Sequence, residues 1–179
     1  MTIENMPNLT RLTTEYHPEE DRIRISGLDR NEDVHVIWFT RRLCDLLIGE
    51  MVTRLRQDGP NAERDAFNFE EDLLQGFAQQ KAEAGLEPSQ KISAPASSEG
   101  WLCTSIDIQK PETATVLIFK SDKVAITPNV GFGPVELRQW LSILRSCYET
   151  ANWPMTVWPE WILEAKKTAS PAATPTILH

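Results

Sequence analysis

Val34-His35-Val36-Ile37-Trp38-Phe39-Thr40 runs without a break into Arg41-Arg42-Leu43-Cys44 and on to Gln57. In the first seven residues Val34, Val36 and Trp38 fall on one face and His35, Ile37 and Phe39 on the other. A period of two with bulky side chains on both faces predicts a central strand covered on two sides. From Arg41 the period lengthens. Leu43, Leu47, Met51 and Leu55 recur every four residues, and Cys44, Ile48 and Val52 widen the stripe into the apolar face of a helix. Asp58-Gly59-Pro60 stops it. A strand feeding directly into an amphipathic helix is the unit around which the rest of the chain is read.

Upstream, residues 12–16 form a plausible strand, ended by His17-Pro18-Glu19-Glu20-Asp21. Ile23 and Ile25 then alternate with Arg22, Arg24 and Ser26, and residues 27–33 make a polar turn. Residues 9–57 therefore read as three strands and a helix. A similar series returns over about 101–151. Residues 102–108 alternate, 114–120 are a β-branched run, and Ser121-Asp122 turns into a third strand at 123–127. Gly131-Phe132-Gly133-Pro134 leads into a helix to about Thr150, with Leu137, Trp140, Leu141, Leu144, Cys147 and Tyr148 on its stripe. The two halves share a pattern rather than residues.

Between the halves, Asn68 is a good N-cap with Glu71 as its capping-box partner. Leu73, Leu74, Phe77, Lys81 and Ala82 mark the expected buried side of the helix that follows, and Gly85 with Pro88 closes it. Residues 89–100 read as a flexible linker. The expected fold is α+β. Antiparallel sheet or sheets come from two βββα-like halves (9–57 and 101–151), with an intervening helix and linker (68–100) and a C-terminal helical extension. Residues 1–167 are expected to form a single domain and 168–179 a disordered tail.

Composition narrows the function classes. The chain has 179 residues, 41% hydrophobic and 25% charged, in the range of a globular domain. Its 18 basic and 26 acidic side chains give a net charge of −8, which disfavours nucleic acid and anionic membrane as partners. A nucleic-acid reading through Arg41, Arg42, Arg54 and Arg56 has to overcome that balance. The longest apolar runs are strand-sized, and the start lacks the pattern of a signal peptide. Three cysteines at no metal-binding spacing suit a reducing, cytoplasmic setting, with Cys44 and Cys147 as small core hydrophobes.

Candidate sites are few. Thr40, Arg41 and Arg42 stand at a strand–helix junction, where two arginines oppose the helix dipole unless an anion or carboxylate sits there. Helix amides, a hydroxyl and two guanidinium groups suit a phosphate or carboxylate ligand. The plainer reading pairs them with the chain's own acids, such as Glu19, Glu20 or Asp21. His35 is the one histidine placed for catalysis, and a hydrogen-bonded structural role is the commoner case. Cys103 has no basic neighbour to activate it. Gly131-Phe132-Gly133 lacks the third glycine of a phosphate loop. The acidic runs Glu19-Glu20-Asp21 and Glu70-Glu71-Asp72 lack calcium-loop spacing. No catalytic, metal or cofactor motif emerges.

The end of the chain is different. Trp153, Trp158, Trp161 and Ile162 cluster among prolines, which suits either an interface with a partner or subunit, or packing onto the chain's own core. The leading expectation is a non-catalytic protein-binding or accessory/scaffold protein of the cytosol, dimeric or part of an assembly. The runner-up is a protein or enzyme that binds a small anionic or phosphorylated ligand at Thr40-Arg41-Arg42.

Overall fold

A computed structural model describes residues 6–58, 69–94, 99–125 and 127–169. Strands β1 (Leu9–His17), β2 (Arg22–Asp29) and β3 (Val34–Phe39) form an antiparallel meander that runs into helix α1 (Arg41–Gln57). Helix α2 (Phe69–Ala84) follows, then the short β4 (Trp101–Leu102) and β5 (Ser105–Gln109), β6 (Thr115–Lys120), β7 (Asn129–Phe132), helix α3 (Pro134–Ala151) and helix α4 (Glu160–Ala169). The class is α+β, as the sequence patterning predicts.

The strands make two sheets, β1-β2-β3-β4 and β5-β6-β7. Where β4 meets β3 the pairing is parallel, a departure from the purely antiparallel expectation. The two sheets are tied at the other end as well. Asn8 bridges Asn129 in parallel, and the Asn129 N–H donates to the Pro7 carbonyl at 2.9 Å. The last strand of each half therefore lies beside the first strand of the other.

The two strand–helix units bury matching positions. Counted from the N-caps Thr40 and Gly133, Cys44 corresponds to Leu137, Leu47 to Trp140, Ile48 to Leu141, Met51 to Leu144 and Leu55 to Tyr148, and all ten are buried. Shared helical spacing, not shared residue identity, carries the likeness. The core lies between the sheets and these helices, where Phe39 and Phe119 meet edge to face at 5.5 Å and Phe132 stacks on Trp140 at 5.0 Å.

Two sequence expectations are corrected by packing. The partner of β6 is Asn129–Phe132, with Thr115 opposite Phe132 and Ile118 opposite Asn129, rather than residues 123–127. Val130 and Phe132 point into the core with Gly131 between them on the outer face, so Gly131 belongs to a strand, while Gly133 is the N-cap of α3. Of the segment expected to be a flexible linker, residues 90–92 are laced along β1. Arg11 donates to the Gln90 carbonyl at 2.8 Å, the Ile92 N–H donates to Thr13 Oγ1 at 2.9 Å, and Lys91 pairs with Glu15. Gly100 brings β4 under Trp38 so closely that a Cβ there would lie 2.3 Å from the indole nitrogen. Asn68, the expected cap of α2, lies outside the described residues, as does the expected tail from residue 170 onward; Thr168 and Ala169 belong to α4.

Candidate functional site

The sequence-predicted anion site has internal partners. Thr40 caps α1 by accepting from the Leu43 N–H at 3.2 Å. Arg41 faces Asp45 at 3.9 Å, and its charge also helps to hold down the carboxyl of Asp21. The larger causes of that lowering are hydrogen bonds from the Trp153 indole and the Tyr16 hydroxyl, both donated at 2.9 Å. Asp45 in turn accepts from Tyr148 at 2.7 Å. Arg42 is exposed on the neighbouring face. The first turn of α1 is thus set against carboxylates of the same chain.

Trp153, Trp158, Trp161 and Ile162 are all buried in the chain's own core. Trp153 and Trp158 meet the Tyr148 ring edge-on at 5.1 and 5.5 Å. The Arg138 guanidinium lies 5.6 Å from the Trp161 ring centroid. These residues fasten the C-terminal extension to α3 in the single chain.

His35 pairs its Nε2 with Asp29 at 3.0 Å, and Asp29 also accepts from the amides of Asn31 and Asp33 at 2.8 and 3.0 Å. Burial pushes the Asp29 carboxyl up, but these three hydrogen bonds prevail and hold it below the ordinary carboxylate value. This is a turn-stabilising cluster. The thiols of Cys44, Cys103 and Cys147 are buried, and desolvation raises them all, Cys103 and Cys147 to about 11. Among the described residues no group of three metal-ligating side chains converges.

Helix α2 is where the structure departs furthest from its sequence pattern. Its buried stripe is Gln75, Gln79 and Ala82, with the two glutamines 4% and 0% exposed. Leu73, Leu74 and Phe77, expected inside, are 47%, 46% and 57% exposed. Lys81, also expected on the inner side, is exposed. The cause lies across the interface, because α3 buries Arg138, Ser142 and Arg145, and the two arginines reach Gln75 and Glu83 of α2 and the Ile162 carbonyl of α4. Only polar side chains satisfy such a surface.

Gln75 donates to the Leu55 carbonyl at 2.9 Å and accepts from Arg138 at 2.5 Å. Gln79 donates to the Arg138 carbonyl at 3.0 Å, and Glu83 pairs with Arg145 at 3.1 Å. Arg145 also donates to the Ile162 carbonyl at 2.6 Å, which fastens α4 to the same seam. Residues 75, 79 and 83 recur every four positions, so a glutamine–glutamate stripe holds α2 in place. The leucines and Phe77 are left outside.

Grooves flank that outward face on both sides. One, of about 390 Å³, lies between α2 and α4, with Leu73, Gly76, Phe77, Trp161 and Ala165 along it. The other, of about 430 Å³, runs past Leu74 and Ala78 toward Pro134 and Leu137, with Arg138 at its edge. A third, of about 240 Å³, lies away from α2, where Leu43, Leu46 and Leu47 of α1 face Ile106 and Ile108. Trp140, which corresponds to Leu47, fills its own side by stacking on Phe132 and donating to Thr14 at 3.1 Å. Comparison with protein-family models, curated proteins and solved structures finds no match for this chain.

Proposed function

We propose that this chain is a protein-binding module and that the outward face of α2 is its contact surface. One observation carries the reading: α2 buries Gln75 and Gln79 and holds Leu73, Leu74 and Phe77 about half exposed on adjacent turns. Contiguous apolar groups rimmed by polar ones mark interaction surfaces, because leaving them in water forgoes about 1 kcal/mol or more for each large side chain. The polar seam to α3 gives a physical reason why α2 does not roll over to hide them.

A photo-crosslinking residue placed at Phe77 in cells that naturally make the protein tests this reading. A discrete adduct with another protein, missing when the same probe stands at exposed Glu19, is the expected result. Equal labelling from both positions, or none from Phe77, would defeat it.

A further inference from the structure

Building on that reading, we infer that the α2–α4 groove takes a basic amphipathic helix of a protein partner. The groove is the valley between two helices in close contact: Gly76 brings α2 so near α4 that a Cβ there would sit 3.8 Å from Trp161 Cβ. Trp161 and Ala165 are buried along the valley and Leu73 with Phe77 line its α2 side. From Asp72 to Gln80 it spans about 12 Å, two turns of helix at about 1.5 Å per residue. A third helix laid in such a valley places apolar anchors at i, i+3 and i+4 between the two walls.

Charge selects the occupant. Glu160 and Glu164 stand exposed, one turn apart, on the α4 rim, and Asp72 stands at the end of the α2 wall, where it also meets Arg56 at 3.1 Å. Among the described residues no basic side chain lines the groove. A second copy would bring the same carboxylates against this rim on a chain of net charge −8, and an anionic membrane would be repelled in the same way. Lysines or arginines flanking an apolar stripe meet the rim without such repulsion.

The test uses the full chain and two synthetic helical peptides of about 14 residues, long enough to cover the valley. One carries leucine on one face and lysine on the other; the second replaces every lysine by glutamate. Fluorescence polarisation should show the lysine peptide binding, with affinity falling about tenfold in Phe77→Ser. The Glu160→Gln/Glu164→Gln double variant should lose about fivefold and show a flatter salt dependence, while Glu19→Gln/Glu20→Gln stays within about twofold.

Loss in Phe77→Ser with none in the glutamate double variant, or equal binding of the acidic peptide, would overturn the basic partner and leave the apolar contact surface standing. No effect of Phe77→Ser would overturn the groove as the seat. A dimer in sedimentation velocity that Phe77→Ser dissolves would make the occupant a second copy and would also overturn the proposal.

Discussion

Replacing Gln75 by leucine should destabilise the protein, although it puts an apolar residue where the structure has a buried polar one. Gln75 Nε2 satisfies the Leu55 carbonyl at 2.9 Å, and Gln75 Oε1 accepts from the Arg138 guanidinium. Leucine at this position leaves a carbonyl without its donor, at about 1 kcal/mol, and a buried cation short of an acceptor, at about 2 kcal/mol. Extra apolar burial returns about 1 kcal/mol, so the net loss is about 2 kcal/mol. For a chain of this size each kcal/mol lowers Tm by about 2–4 °C, giving a fall of about 4–8 °C. Phe77→Gln, at a site 57% exposed, should move stability by about 0.5 kcal/mol or less. Urea and thermal unfolding followed by circular dichroism measure both. A Gln75→Leu protein as stable as the parent, or more stable, would refute the polar seam as the reason α2 faces outward.

Trp161→Ala should cost about 3–5 kcal/mol in the isolated chain, since the ring is buried against Arg138 and α2; unchanged urea midpoints would return it to an interface role. Thr40→Ala should cost about 1 kcal/mol through loss of the α1 cap, and neither it nor Arg41→Ala should change the thermal shift given by inorganic phosphate. A phosphate-dependent stabilisation that both variants abolish would instead establish an anion site there. Asp29 has a lowered pKa in the folded chain, so its contribution is full above the unfolded carboxylate value of about 3.9 and is lost as pH falls through the folded one. Asp29→Asn should therefore flatten the acid limb of the stability profile, and parallel profiles for parent and variant would count against that role.

The elements that could be read from sequence are those whose apolar period agrees with their burial. β3 and α1 follow from Val34 to Gln57 because the side chains that carry the period, among them Val36, Ile37, Phe39, Cys44, Leu47, Ile48, Met51 and Leu55, find the interior their spacing predicts. α3 was legible on its apolar stripe alone. That Arg138 and Arg145 are also buried was not, because arginine is rarely taken for an interior residue. The inverted face of α2 follows from those arginines, since apolar residues turn inward only while the facing surface is apolar. The spacing of Gln75, Gln79 and Glu83 was the available signal, and it acquires meaning only opposite two arginines some sixty positions later. β7 is hidden in the sequence for a related reason: Gly131 reads as a turn until Val130 and Phe132 are seen filling the core on either side.

Thiol accessibility along α2 reports which face of the helix meets water. Cys44, Cys103 and Cys147 are buried and serve as a silent background, so single thiols can be introduced by Phe77→Cys and, separately, by Ala82→Cys. A water-soluble maleimide should modify the thiol at position 77 at a rate close to that of an unstructured peptide. The thiol at position 82, where alanine is 2% exposed, should be protected by about a hundredfold until urea unfolds the chain. Protection at 77 with rapid labelling at 82 would mean that α2 turns its apolar face inward, and the contact surface proposed for it would not exist.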